Sequence, residues 1–241
     1  MRLYGDLAEW WSVLRPPEEQ AELAEVVLGL CDAVLGPLRS LLELGSGGGH
    51  LAVHVPADVE VVLVDRSAAM LRASEVLNPS RLHVKGDLRT LRLDRQFDAV
   101  LLHDAVMYML TEGDLAAALA ACFAHLRPGG LALVFPDLVR EDFEPRTLRG
   151  SSLGHDGRAA DLVERHFDPD PADSCFSVEF SATLREPGGR VRKVRETHEH
   201  GFFDRPTWAR LVHDAGFELH WAELPEEMGI SECFLLVRPA G

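Results

Sequence analysis

The chemistry available to this chain concentrates first in ten residues, Leu41 to His50, reading LLELGSGGGH. An apolar run through Leu41, Leu42 and Leu44 stops at a turn holding Gly45, Gly47, Gly48 and Gly49. That pattern marks a buried strand ending in a sharp turn, expected here to lead into a helix from about Gly49. Glycine lets the backbone take positive φ and lets a ligand approach the main chain closely. The free N–H groups of a following helix would face that ligand. Glu43, near the strand's end, offers a carboxylate for a cationic group. A dinucleotide turn, Gly-x-Gly-x-x-Gly, would put glycine where this chain has His50. A tight turn that holds no ligand is the competing reading.

Other reactive groups follow at informative places. Asp65 ends the β-branched run VEVVLVD, eighteen positions after Gly47. A carboxylate at that strand tip can accept hydrogen bonds from both ribose hydroxyls of an adenosine-like ligand. His103 and Asp104 end the apolar strand that starts at Phe97, at the carboxyl edge where doubly wound sheets bind ligands. Imidazole titrates near neutrality, so His103 is a candidate proton acceptor; alternatively it orients its loop, with Tyr108 packed beneath. Glu196, His198 and His200 alternate along one strand and share a face. No third ligand has metal-site spacing, so no metal is expected, and the face is read as solvated or as a polar wall for a substrate.

The elements that must position these groups are legible in outline. An aromatic N-terminus with Tyr4, Trp10 and Trp11 precedes Pro16-Pro17 and a helix from about Glu18 to Leu35, stopped by Gly36-Pro37. Ser67 is expected to cap a helix to about Leu77, with Met70 in its first turn. Strands are expected at RLHVKG and Phe97–Leu102, then a helix capped by Thr111 and Asp114, then a fifth strand after LRPGG. Residues 137–173 look polar and irregular. Two alternating runs around Pro187-Gly188-Gly189 then form an antiparallel hairpin beside the pocket. A helix capped by Asp204 and two final strands close the chain, the last antiparallel, joined through PEEMGI.

Composition bounds the function. A chain of 241 residues, 46% hydrophobic, can bury a full core as one α/β domain with an insertion. A net charge of −15 argues against nucleic acid or an anionic membrane as partner. Cys31, Cys122, Cys175 and Cys233 are scattered without Cys-x-x-Cys spacing, as single thiols of a reducing compartment would be. No run approaches a membrane span and no cleavable leader is evident, so a cytoplasmic location is expected, as monomer or homodimer.

Glu43-x-Gly45-x-Gly47-x-Gly49 resembles the first motif of class I S-adenosylmethionine (SAM) dependent methyltransferases. Asp65, Gly86-Asp87, the Phe97 to Asp104 strand and LRPGG follow in that family's order. The resemblance implies an α/β, Rossmann-like seven-stranded mostly parallel sheet with an inserted antiparallel hairpin. The expected units are an N-terminal lid and helix (1–37), a SAM-binding core (38–136), a substrate-side insertion (137–200) and a completing C-terminal segment (201–241). It implies cofactor contacts from Tyr4, Glu43, Gly45, Ser46, Gly47, Gly49, Asp65, Arg66, Met70, Gly86, Asp87, Leu88, Leu102 and His103. Asp87 would accept from the adenine amino group, and Tyr4 would close over the pocket. Trp11, Asp104, Tyr108, Glu196, His198 and His200 are then candidates for the acceptor side; an amine would need only to be bound neutral, and a phenol or alcohol would need a base, His103 first and His198 next.

The stretch RETHEHGFFDRPTWARLVHDAGFE also resembles the end of the sugar N,N-dimethyltransferase group. The activity implied is methyl transfer from SAM to a small molecule, an amine first, with O-methylation as the alternative. An NAD-dependent oxidoreductase and a non-catalytic SAM-binding protein are the rivals from other classes.

Overall fold

The computed structural model describes residues 1–222 and 233–240. A seven-stranded sheet runs in the order β10-β11-β5-β4-β1-β2-β3. Its strands are β1 (Ser40–Leu44), β2 (Glu60–Asp65), β3 (Leu82–Lys85), β4 (Phe97–His103), β5 (Leu126–Phe135), β10 (Glu218–Ala222) and β11 (Cys233–Val237). β1 to β5 pair in parallel, while β11 lies antiparallel between β5 and β10. The strand reversal expected at the C-terminus is therefore present; the PEEMGI connection lies outside the described residues.

The strands read as near-continuous apolar runs because both faces are covered. Leu41, Leu63, Leu101 and Leu133 pack with Leu23, Val27 and Cys31 of α2 (Ala21–Leu35). Their neighbours Leu42, Val64, Val100 and Val134 pack on the other face with Leu115 and Leu119 of α4 (Glu112–His125) and Leu211 of α5 (Arg205–Asp214). α1 (Trp11–Leu14) lies in the N-terminal segment and α3 (Ala68–Leu77) follows β2. The expected caps are made: Ser67 Oγ accepts from Met70 N, Thr111 Oγ1 from Asp114 N, and the Asp204 carboxylate from Thr207 N.

Two sequence expectations are corrected. No α-helix follows the glycine turn; a single 3-10 turn spans Ala52–His54. Pro56 lacks an N–H and drives Val55 to an extended backbone (ψ 129°), which ends the turn. The insertion is also larger than a hairpin. β6 (Arg146–Leu153), β7 (Ala159–Phe167), β8 (Cys175–Arg185) and β9 (Val191–Gly201) form a four-stranded antiparallel sheet. β7 escaped notice because its inward positions run Ala160, Leu162, Glu164, His166, and two polar residues hide the alternation.

Candidate functional site

β1 pairs with both β2 and β4, so the strand order reverses at β1, and a crevice opens at the carboxyl ends of these strands. A cavity of about 810 Å³ occupies it, extending toward the second sheet. One half is walled by the glycine turn and the tips of β1 to β3, the other by the end of β4, Asp137 and the inner face of β7 to β9.

In the first half, Gly45 and Gly47 hold positive φ (75° and 53°). A Cβ at Gly45 would lie 2.1 Å from the Ala105 Cβ, so no larger residue fits. The Asp65 carboxylate accepts from Gly47 N at 2.9 Å and from Ser67 N at 2.7 Å. Met70, Gly86, Asp87 and Leu88 continue the wall, with Arg66 at the same end. Asp87 is bound by Arg89 (2.7 Å), which also reaches Asp114 (2.7 Å), and this pairing holds its pKa down at about 2. Arg89 was not among the expected residues, since its role depends on α4 arriving beside it.

Two buried polar atoms in this half lack a partner, Glu43 Oε2 and Ser46 Oγ. Burial pushes the Glu43 carboxyl up to about 8, opposed by His103 and reinforced by Asp65 and Asp104. A buried unpaired carboxyl beside an open backbone turn suits a ligand with a cationic end and a polar, hydroxylated body. The amino, carboxylate and ribose groups of SAM match that donor and acceptor set.

The acceptor half is acidic and aromatic. His103 Nε2 lies 2.8 Å from Asp104 Oδ1. Burial pulls His103 down, but Asp104 and Glu43 outweigh it and the net shift is upward. Desolvation raises the Asp104 carboxyl, but its bonds to His103 and Asp137 outweigh that and hold it low. Asp104 has φ 48°, the one non-glycine positive φ among the described residues. Such strain costs of order 1–3 kcal/mol and persists where surroundings impose it, commonly at functional sites. Arg15 pairs with Glu164 across the cavity mouth, and His166, Val178, Phe180 and His200 form the far wall.

Tyr4 and Trp11 line the same cavity from the N-terminal segment. Trp11 stacks on His50 at 6.5 Å, and a Cβ at Gly48 would come within 2.8 Å of its ring. Tyr4 Oη lies 3.0 Å from Tyr108 Oη, which lies 2.7 Å from His198 Nδ1. His198 Nε2 meets Glu196 Oε1 at 2.8 Å, and the Glu196 carboxylate also accepts from Arg2 N and Leu3 N.

That chain of contacts corrects the reading of the β9 face. Glu196 and His198 share a face with His200 as expected, but the face is turned inward, and these two sit behind Tyr108 instead of lining the cavity. Both ring nitrogens of His198 are engaged and the residue is 4% exposed, which removes it as the second base. Leu102 is fully buried within the sheet. Gly49 faces α3, where a Cβ would meet Ser74 Oγ at 2.1 Å. The other expected positions, Trp11, Asp104, Tyr108 and His200 included, line the cavity. Asp137, Glu164, His166 and Arg146 are additions.

Residues 41–130 match the family model described as a methyltransferase domain. That match, on a seven-stranded sheet of this order, supports a SAM-dependent methyltransferase. More particularly, the chain is 29% identical over 187 residues to the dTDP-3-amino-3,4,6-trideoxy-alpha-D-glucopyranose N,N-dimethyltransferase of Streptomyces venezuelae, covering 76% of this chain and 77% of that protein. The crystal structure of DesVI from Streptomyces venezuelae superposes with a TM-score of 0.83 at 25% identity, over 94% of each chain. SAM-bound CalS10, an amino pentose methyltransferase from Micromonospora echinaspora, gives 0.77 at 26% identity over 91% of each chain. No described helix is long and apolar enough to cross a membrane.

Proposed function

We propose that this chain N-methylates an amino group on a small hydroxylated molecule, with dTDP-linked amino sugars, the compounds named for its relatives, as first candidates. The observation that carries this is one cavity joining the glycine turn and Asp65 to the acidic cluster of His103, Asp104 and Asp137. Glu43 takes the methionine ammonium, the Gly45 to Gly47 turn meets the methionine and ribose, and Asp65 accepts from the ribose hydroxyls. Met70 and Leu88 pack on the adenine, and Tyr4 and Trp11 exclude water above.

When bound, SAM supplies a methyl carbon already activated by its sulfonium, so the protein's work is largely positioning. The walls formed by Tyr108, Val178 and Phe180 hold the acceptor nitrogen in line with that methyl. His103, oriented by Asp104, takes a proton from the acceptor. The scattered thiols of Cys31 and Cys122, both pushed up to about 12 by burial, are inert and suit a reducing cytoplasmic setting.

The test is release of S-adenosylhomocysteine (SAH) with a dTDP-3-amino-3-deoxy sugar against the analogue bearing a 3-hydroxyl. Turnover of the amine alone is expected. Turnover of the hydroxyl compound alone would make the enzyme an O-methyltransferase, and turnover of neither would reject this acceptor class.

A further inference from the structure

Resting on the methyltransferase reading, we propose that Asp104 and Asp137 form an ammonium seat at the acceptor end of the cavity. The acceptor enters as a cation, passes its proton to this seat, and is held by its remaining polar groups on His166 and His200.

The geometry is set by the sheet. His103 pairs in register with Phe135, so the residues just beyond, Asp104 after β4 and Asp137 after β5, emerge side by side. Their side chains are hydrogen-bonded to each other. A hydrogen bond between two carboxyl groups requires a shared proton, which leaves the pair one negative charge. Burial drives Asp137 well up and the charge of Asp104 adds to it, which makes Asp137 the proton carrier. The groups facing the pair are His103 and Glu43 from the core strands, Tyr4 and Arg15 from the N-terminal segment, and Tyr108 from the turn after β4. Arg146, Glu164 and His200 face it from the second sheet.

A second observation points independently to a ligand. His166 and His200 are 5% and 6% exposed, both line the cavity, and none of their four ring nitrogens has a partner. Buried polar groups are nearly always satisfied, so unpaired ring nitrogens on two residues of the cavity wall point to a ligand as their partner. Burial lowers them to about 4 and about 3, so each is a neutral imidazole with one donor and one acceptor. That pattern matches hydroxyl groups.

The proton balance follows. An N–H bond of the ammonium breaks, its electron pair stays on nitrogen, and the proton passes through the Asp104 carboxylate to His103, whose Nε2 lies 2.8 Å away. The freed lone pair forms the N–C bond as the C–S bond of the cofactor breaks, with that pair going to sulfur. The product is a methylated ammonium beside neutral SAH, and His103 gives its proton to water as the product leaves, which restores the seat for a further round.

The experiment titrates SAH-saturated protein at pH 6.5 with three probes, D-glucosamine, D-glucose and N-acetyl-D-glucosamine. Glucosamine is expected to bind at least about 10-fold more tightly than either neutral ring. The preference should persist in Asp137→Asn, which keeps one carboxylate, and fall below about 2-fold in the double variant D104N/D137N. Asparagine tolerates positive φ better than most residues, so the strained position 104 accepts it. The double variant H166A/H200A should weaken all three probes alike. Equal binding of the three, binding of none, or a preference that survives in D104N/D137N overturns the proposal. SAH affinity is measured in every variant: native protein that fails to bind SAH would show that the cofactor reading itself has failed and takes this inference with it.

Discussion

The backbone N–H of Gly47 donates to Asp65 Oδ2 at 2.9 Å, so the glycine turn and the tip of β2 are one hydrogen-bonded unit. The other Asp65 oxygen fixes Ser67 N, the entry to α3. A single carboxylate thus shapes the turn, starts the helix and retains lone pairs facing the cavity.

Asp65→Ala is therefore expected to act twice. Loss of charged hydrogen bonds to the ribose should weaken SAM binding by about 2–3 kcal/mol, roughly 30- to 160-fold. Freeing the N–H groups of Gly47 and Ser67 should also lower thermal stability without ligand. Calorimetric titration and a melting curve measure both, and an unchanged SAM affinity would refute the ribose assignment.

The Glu43 carboxyl carries a pH signature. It is raised from an ordinary 4.5 to about 8, so it is neutral in the ligand-free protein at pH 7. A carboxyl raised on folding favours the native state at low pH, and that contribution is lost as pH climbs from about 4.5 through 8. Ligand-free protein should lose stability across that window. A cationic ligand favours the ionised form, so SAM affinity should rise toward pH 8. In Glu43→Gln both slopes should flatten; retained slopes would assign them to another group.

His103→Ala should leave SAM affinity within about 2-fold while lowering turnover on the order of 100-fold, the range of a general base. Equal turnover of the variant and native enzyme, with the same acceptor, would remove His103 from proton transfer.

How much was legible in advance follows from contact range. Glu43, the glycine turn and Asp65 are local features: a strand, its turn and the next strand's tip, at spacings the backbone enforces. Capping by Ser67, Thr111 and Asp204 is equally local. His198 shows the limit. Alternation gave its face correctly, but depth depends on Tyr108 and on the N-terminal residues that Glu196 ties down, nearly two hundred positions away in sequence. Asp137 and His166 were invisible for a similar reason: the one meets Asp104 through strand pairing, and the other sits on a strand whose polar inward residues erase the alternation. The missing helix after Gly49 was readable, since Pro56 allows no more than one turn.

The central claim is that the glycine turn and Asp65 hold SAM. Calorimetric titration of the purified protein with SAM, SAH and NAD tests it most directly. Micromolar binding of SAM and SAH, with no heat from NAD, is the predicted result. Binding of NAD alone, or of none of the three, would contradict it.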